Sequence, residues 1–315
     1  MSTDQQNNPR LPETALDDRA PEQASAAQPL VTVFSIPKPF FGHTGIIQRN
    51  AIESWKRLAP EVDVILFGDE EGVAETAMEL EVRHFPDMES NEHGTPLVSS
   101  AFSQAIQKSD SPVLCYCNCD VMLFNDFVQA ISEIDNCDSV SSFVAIGRRT
   151  EIDIESEIDF EHDAVEETIR NLVRKSGSKA AIVCKEFFAY SRDQYRSIPP
   201  FAVGRGNWDN WMVASAKRAG TPVIDVSQKV TVIHQNHDYG HISGNRMECY
   251  VTGAEAKRNQ ELAGGRHIVS GATATWKLTP NGVSPKTFGW ANLDFWLDLP
   301  RFSGLLLDLA RSKRK

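Results

Sequence analysis

The sequence predicts an α/β protein in which a mostly parallel sheet is flanked by helices. Short apolar runs rich in β-branched residues alternate with segments whose apolar residues recur at helical spacing, and glycine or proline bounds the runs. Alternation of this kind is typical of parallel sheets that are covered by helices on both faces. At 315 residues, the chain is long enough to form a single large domain with a sizeable core.

The predicted elements begin after a polar, acidic tail. Residues 1–29 contain only three residues from Leu, Ile, Val, Met and Phe, too few to offset the entropy of ordering, so we expect this tail to be disordered. A buried strand is expected over 30–36 (LVTVFSI), and a helix follows whose apolar residues run from Ile47 to Leu58. The next strand, 62–67, is stopped by Gly68.

The same patterns predict the remaining elements. They indicate helices over 70–80, 97–107 and 208–218 and strands over 81–84, 113–117, 181–183, 222–226 and 230–233. Ligands of open α/β sheets bind in a crevice at the carboxyl ends of the strands. We therefore expect functional residues directly after the predicted strands.

The composition argues against several classes of protein. Acidic side chains outnumber basic ones by 43 to 32, and the resulting net charge of −11 repels nucleic acid. No apolar run reaches the roughly 18 residues of a membrane span, and the first 29 residues lack a secretory signal, so a cytoplasmic protein is expected. Three of the six cysteines crowd at 115, 117 and 119, which favours reduced thiols.

An acidic block over 151–167 holds nine carboxylates and no lysine or arginine. Such a block could attract a metal or a cationic partner, but runs of charge usually face water. We interpret it as a solvated, partly helical excursion and assign it no chemistry.

The first candidate site follows the strand at 113–117. Period-two alternation places the cysteines of this region on one side of the chain and Tyr116, Asn118 and Asp120 on the other. The thiols lack the second pair of a structural zinc site and are interpreted as small buried side chains. Asn118 and Asp120 offer oxygens that suit Mg²⁺ or Mn²⁺ carrying a diphosphate, although Asn-x-Asp is also common in turns.

The second candidate is the histidine-rich segment 234–241 (HQNHDYGH), which contains three of the eight histidines of the chain. Their spacing would align them as metal ligands on a helix, but Gly240 and the preceding strand predict a loop. His234, at the end of the strand, is interpreted as functional. His237 and His241 fit metal ligands and hydrogen-bonding loop residues equally well.

In the third candidate, a Gly-Arg-Gly turn at 204–206 precedes the helix at 208–218. Asp209 lies in the first turn of this helix, where an acid complements the helix dipole, and that explanation is usually sufficient. A carboxylate flanked by Trp208 and Trp211 beside a crevice could also act as a general base. The two indoles either present flat faces to a sugar or belong to the core.

Other catalytic motifs are absent from the sequence. It contains no G-x-S-x-G elbow and no G-x-x-x-x-G-K-[ST] loop, and its only G-x-G, at 204–206, lacks a third glycine. Serine hydrolase, P-loop and dinucleotide-binding functions are therefore not expected.

The order of these features resembles that of GT-A glycosyltransferases, enzymes that transfer a sugar from a nucleotide diphosphate sugar to an acceptor. The matching features are Pro-Lys-Pro after the first strand, LFGD at 66–69, Asn118-x-Asp120, WDNW at 208–211 and the late His-Gln-Asn-His. The likeness covers roughly residues 30–285. It implies a GT-A-like, Rossmann-like domain over 30–289.

The resemblance also implies a metal and donor site. The Asp-x-Asp motif of the family, which binds the divalent metal and the donor diphosphate, corresponds to Asn118 and Asp120. Because Asn118 is neutral, Asp120 would be the main protein carboxylate on Mn²⁺ or Mg²⁺. The histidine that completes the metal shell corresponds to His234, and the acid that contacts the base or ribose of the donor corresponds to Asp69.

On the acceptor side, Asp209 corresponds to the general base of inverting members. Glu186 resembles an acceptor-side acid, and Arg205 and Trp208 are further candidates for contact with the acceptor. The implied function is metal-dependent transfer to an unknown hydroxyl of a glycan, a lipid or a small molecule. The neutral Asn118 leaves a second hypothesis open, a catalytically silent sugar- or nucleotide-binding module of the same fold.

The C-terminal segment, 290–315, is predicted to be amphipathic and basic. Phe302, Leu306 and Leu309 share a helical stripe, and four basic residues follow it. Ends of this kind can lie on anionic lipid, so peripheral contact with a membrane and packing on the parent domain are both open.

Overall fold

The computed structural model describes residues 28–180, 185–237, 248–265 and 274–286. In these residues the strands are, in chain order, β1 (Val31–Ser35), β2 (Val62–Phe67), β3 (Arg83–Phe85), β4 (Val113–Cys117), β5 (Val121–Met122), β6 (Val144–Ile146), β7 (Arg149–Ile152), β8 (Ser178–Lys179), β9 (Phe187–Ser191), β10 (Val223–Asp225), β11 (Val232–Gln235), β12 (Trp276–Thr279) and β13 (Gly282–Pro285).

The helices lie between these strands. They are α1 (Gly42–Lys56), α2 (Val73–Glu79), α3 (Val98–Lys108), α4 (Asn125–Asp135), α5 (Val165–Ser176), α6 (Trp208–Arg218) and α7 (Ala254–Leu262), and a π-helical turn (Glu248–Thr252) precedes α7. None of the helices in the described ranges is long and apolar enough to cross a membrane.

Nine strands form the main sheet, in the order β13-β12-β10-β6-β9-β4-β1-β2-β3. The pairings of β1 with β2 and β4, of β2 with β3, and of β10 with β6 and β12 are parallel. Only β9 and β13 run against the other strands of this sheet. The predicted fold class, a mostly parallel sheet flanked by helices, is therefore confirmed.

The sheet has a core on each face because successive strand residues point to opposite sides. On one face, Cys115 packs in a cluster that includes Trp55 of α1. On the other face, Tyr116 packs with Phe102 of α3, and their stacked rings lie 5.7 Å apart between centroids. The predicted alternation along β4 is thus confirmed, and the three crowded cysteines are free, buried thiols.

A smaller sheet, in the order β5-β11-β7-β8, stands beside the main one. In it, β11 is antiparallel to β5 and parallel to β7. A third apolar cluster, which includes Ile154 and Phe160, covers this sheet. The acidic block 151–167 therefore contributes the end of β7, buried apolar residues and the first turn of α5, and is only in part the solvated excursion that we predicted.

Several predicted boundaries differ from the observed ones. The strands at 62–67 and 113–117 and the helix at 208–218 match β2, β4 and α6, whereas the helix predicted from Ile47 already begins at Gly42. The strand predicted at 230–233 is displaced to Val232–Gln235, so His234 lies within a strand. The strand at 181–183, His241, residues 1–27 of the tail and the segment 290–315 lie outside the described residues.

Candidate functional site

A crevice of about 930 Å³ opens where the parallel strands of the main sheet end. Asn118 and Asp120 enter it directly after β4, and Lys38 follows β1. Because β9 is antiparallel to β4, its first residues reach the same edge, which brings Lys185 and Glu186 into the crevice. The first turn of α6 adds Asp209 to the lining of the crevice.

Asp120, His234 and His237 form a cluster that could hold a metal ion, with one potential ligand atom from each residue within 4.8 Å of the others. Asp120 Oδ2 lies 3.2 Å from His237 Nε2 and 3.8 Å from His234 Nε2. Antiparallel pairing of β5 with β11 creates this arrangement, since it sets His234 opposite Val121. The Gln235 N–H also donates to the Asp120 carbonyl over 3.0 Å.

The protonation states of this cluster suit a metal. Burial raises the pKa of Asp120, but the hydrogen bond with His237 and the neighbouring His234 and Lys38 outweigh it and lower the pKa to about 2. Burial lowers the pKa of His234 to about 4, although the charge of Asp120 opposes this shift. At pH 7 the cluster therefore offers an ionised carboxylate and a neutral His234 imidazole, the forms that bind metals.

Two buried atoms of the cluster have no hydrogen-bond partner among the described residues, namely Asp120 Oδ1 and His234 Nδ1. Buried polar atoms are nearly always satisfied, and an unsatisfied one costs about 1–3 kcal/mol. A carboxylate oxygen and imidazole nitrogens are ligand atoms for divalent cations. The donor set therefore fits the Mn²⁺ or Mg²⁺ that the sequence resemblance implies.

Asn118 is held by Glu186 on the neighbouring strand. The Asn118 backbone N–H donates to the Glu186 carbonyl over 2.9 Å, and its side-chain Nδ2 donates to Glu186 Oε2 over 2.5 Å. The other carboxylate oxygen, Oε1, accepts from Nη1 of Arg149. Burial raises the pKa of Glu186 and Arg149 opposes this shift, which leaves the pKa at about 7.

Asp209 faces a lysine rather than the two indoles that flank it in sequence. Its Oδ2 lies 3.7 Å from Nζ of Lys185, and the same ammonium donates to Oδ1 of Asn210 over 3.0 Å. The Lys185 side chain is only 2% exposed, whereas that of Asp209 is 35% exposed. The carboxylate therefore opens to the crevice with a buried cation behind it.

The Gly-Arg-Gly turn is fixed against the segment that contains α7. Arg205 forms an ion pair with Glu255 over 2.7 Å, and Asn91 donates to the same carboxylate over 2.7 Å. A Cβ atom at position 206 would collide with the carbonyl oxygen of Tyr250, so this close approach requires glycine. The turn thereby sets the position of the first residues of α6.

The remaining predicted residues divide between the crevice and its surroundings. Trp208 is 7% exposed and packs edge-on against Tyr116, with centroids 5.1 Å apart, so it is a core residue that also borders the crevice. Asp69 does not line the crevice. Asp69 lines an adjoining hollow of about 770 Å³. Glu70, which lies shortly before the start of α2, borders both the hollow and the crevice.

Lys38 and His237 are two residues of the crevice that sequence reasoning did not assign. The Lys38 N–H donates to Gln48 Oε1 over 2.7 Å, and Gln48 Nε2 donates back to the Lys38 carbonyl over 2.8 Å. The Pro-Lys-Pro segment is therefore rigid on both sides of Lys38. The position of Lys38 between two prolines after a strand could have indicated a cation with a fixed backbone. Nothing in the sequence distinguished His237 from an ordinary loop histidine.

Ten charged residues line the crevice among those that the structure describes, and acids are in excess. The six acids are Glu70, Asp120, Glu186, Asp209, Glu248 and Glu255, and the four cations are Lys38, Arg149, Lys185 and Arg205. Three of these cations form ion pairs with carboxylates of the crevice. Lys38 forms no such ion pair in the described part of the chain, although its charge lowers the pKa of Asp120.

No family model and no curated protein sequence matches the chain. Among solved structures, the chain is similar to glucosyl-3-phosphoglycerate synthase of M. tuberculosis, with 14% identity and a TM-score of 0.46 over 76% of this chain and 82% of that one. It is also similar to S. aureus TarS in complex with UDP-GlcNAc, with 13% identity and a TM-score of 0.48 over 74% of this chain and 65% of that one.

A third similar structure is the mannosyltransferase PcManGT from Pyrobaculum calidifontis in complex with GDP-Man and Mn²⁺. Its identity is 14% and its TM-score 0.43, over 71% of this chain and 61% of that one. The structures to which the chain is similar are GT-A-type nucleotide-sugar glycosyltransferases, the class whose motifs the sequence resembles.

Proposed function

We propose that this protein is a metal-dependent glycosyltransferase, which moves a sugar from a nucleotide diphosphate sugar to an acceptor hydroxyl. The observation that carries the proposal is the convergence of Asp120, His234 and His237 at the strand-end crevice, where one potential ligand atom from each residue lies within 4.8 Å of the others. These three residues, together with Asn118, would hold the metal. A bound Mn²⁺ or Mg²⁺ would neutralise charge on the departing diphosphate.

The donor set favours Mn²⁺ over Mg²⁺. Magnesium prefers oxygen ligands and keeps several waters, whereas imidazole nitrogen suits the transition metals better. Two of the three clustered ligands are histidines. In this proposal Lys38 contacts the diphosphate, since its ammonium forms no direct ion pair among the described residues and its backbone is fixed by Gln48. Asp69 would contact the base or ribose from the adjoining hollow.

On the acceptor side, we assign Asp209 as the general base of an inverting transfer. Its carboxylate opens to the crevice, and Lys185 behind it holds its orientation through the contact at 3.7 Å. The acceptor hydroxyl would lose its proton to Asp209 as its oxygen forms the new glycosidic bond and the diphosphate leaves. Arg205 and the edge of Trp208 would position the acceptor, which is a glycan, a lipid or a small molecule.

The experiment that tests this proposal is a donor screen. The protein is incubated with UDP- and GDP-sugars and with Mn²⁺, Mg²⁺ or a chelator, and the release of nucleoside diphosphate is measured. Slow, Mn²⁺-dependent release from one class of donor is expected. Mn²⁺-dependent binding of nucleoside diphosphate without any release would favour the silent binding module instead, and an absence of both would refute the proposal.

A further inference from the structure

The hydrogen bonds around Glu186 decide which way the Asn118 amide faces. Both carboxylate oxygens of Glu186 are engaged, Oε1 by the Arg149 guanidinium and Oε2 by Nδ2 of Asn118. Arginine can only donate, and an amide side chain can donate only through its NH₂ group. The Asn118 amide must therefore turn its NH₂ group toward Glu186 and its carbonyl oxygen away from it.

The carbonyl oxygen of Asn118 is left available by this arrangement. Asn118 lines the crevice, and its Oδ1 accepts no hydrogen bond from the described residues. The amide oxygen is a ligand for hard divalent cations, whereas the NH₂ group is not. Asn118 lies two residues before Asp120 and lines the same crevice, so a metal held by Asp120 would meet a ligand at position 118 in only one of the two amide orientations.

We propose that Glu186 is a positioning residue, which fixes the Asn118 amide so that its oxygen completes the metal site. This inference rests on the proposed function and deepens it. It gives Glu186 a role different from the acceptor-side contact that the family resemblance implies. It also gives a reason for asparagine at position 118, because a carboxylate there would face that of Glu186 at hydrogen-bonding distance, and one of the two would have to bind a proton.

The test begins with Glu186→Gln. Arg149 still requires an acceptor, so the carbonyl of the introduced glutamine turns to the guanidinium and its NH₂ group faces Asn118. Asn118 must then flip to accept, and its own NH₂ group turns toward the metal. We expect Mn²⁺ affinity to fall roughly 10- to 100-fold, as when a group that orients a metal ligand is removed. The measurement is calorimetric Mn²⁺ binding without donor.

The matched control is Glu151→Gln. Glu151 Oε1 accepts from Nη2 of Arg149 over 2.7 Å, so this variant removes a carboxylate from the same arginine without touching Asn118. It should weaken Mn²⁺ binding much less than Glu186→Gln. An equal loss in the two variants would show that only the local charge matters, and it would overturn the positioning role.

The sharper test is the exchange Asn118→Asp/Glu186→Gln. In this double variant the introduced aspartate can accept from the NH₂ group of the introduced glutamine with one oxygen and offer the other to the metal. The double variant should therefore recover at least the wild-type Mn²⁺ affinity, although Glu186→Gln alone loses it. Asn118→Asp alone should lower the melting temperature of the metal-free protein, and Glu186→Gln should restore it.

The outcomes separate this inference from the proposed function. If the wild-type protein binds neither Mn²⁺ nor nucleoside diphosphate, both fail. If it binds Mn²⁺ and Glu186→Gln binds it equally well, or if the exchange variant shows no recovery, only the positioning role fails. A purely structural Glu186 would change the melting temperature and leave the Mn²⁺ affinity of the folded fraction unaltered.

Discussion

At the scale of single residues, Asp120 is the acid that two histidines and a lysine keep ionised. Asp120→Ala removes the only carboxylate of the three-residue cluster. It leaves the Asp120 backbone carbonyl free to accept from Gln235, so the strand pairing persists. We expect loss of Mn²⁺-dependent binding of nucleoside diphosphate in calorimetry and a melting temperature close to wild type.

The matched control for this variant is Asp153→Ala. Asp153 accepts from the Asn236 side chain over 2.8 Å and lies outside the metal cluster. The Asp153→Ala variant should bind nucleoside diphosphate and Mn²⁺ as the wild type does. Unchanged affinity in Asp120→Ala would instead show that the metal is held elsewhere.

Asp209 allows a second prediction at this scale. Asp209→Asn keeps the size of the side chain but cannot accept a proton, so transfer should fall by roughly 10²- to 10⁴-fold with little change in donor binding. Asp225→Asn is the control, because Asp225 pairs with Lys286 over 3.3 Å outside the crevice. Product with the anomeric configuration of the donor would contradict the base role, as would an equal loss of activity in the control.

At the scale of elements, Gln235 joins α1, β11 and the loop after β7. Its Nε2 donates to the Ile47 carbonyl over 2.8 Å, its Oε1 accepts from Asn50 over 2.9 Å, and Asn50 in turn accepts from the Ile158 N–H. Gln235→Met should cost about 1–3 kcal/mol of unfolding free energy for each buried group left unsatisfied. Urea denaturation measures this cost.

Mn²⁺ affinity should fall in the same variant, since Gln235 lies between the two histidines of the cluster. Gln107→Met is the control. Among the residues that the structure describes, the exposed Gln107 side chain donates only to Ser103 of its own helix, over 3.3 Å, and its replacement should change neither stability nor affinity appreciably. Equal stability of the two variants would contradict the linking role of Gln235.

The elements also show what the sequence could and could not predict. The strands at 62–67 and 113–117 were predictable because short apolar runs between turn residues have few alternatives. The direction of β9 was not predictable, since the sequence of an apolar run such as Phe187–Ser191 does not indicate whether the neighbouring strands are parallel or antiparallel to it. That direction alone brings Lys185 and Glu186 to the crevice.

The candidate site was predictable where a residue directly follows a strand. Asn118 and Asp120 fall into this class. His234 was predicted at the end of its strand but lies inside β11. His237 was not separable from a loop histidine, because the pairing of β5 with β11 is a long-range contact that local patterns do not encode. Asp69 follows its strand as expected, but the chain turns it into the adjoining hollow.

At the scale of the whole molecule, the burial of three tyrosines makes the stability of the folded state depend on pH. Burial raises the pKa of Tyr116, Tyr190 and Tyr195 above the usual value of 10. Because the folded state favours their neutral phenols, stability is retained below pH 10 and lost as the pH rises above it. We expect these three tyrosines to ionise only as the protein unfolds, with coincident changes in tyrosinate absorbance and circular dichroism. Ionisation of all five tyrosines of the chain with native circular dichroism would contradict this expectation.

The excess of acids in the crevice has a thermodynamic consequence. Among the described residues, a nucleotide diphosphate in the crevice would meet six carboxylates and four cations, so it would be repelled unless a divalent cation bound as well. Cation and nucleotide are then linked, and each must raise the affinity of the other by the same factor. Calorimetric titration of Mn²⁺ with and without UDP, and of UDP with and without Mn²⁺, should give equal coupling free energies. The cell's supply of metal would thereby govern how much donor the protein holds.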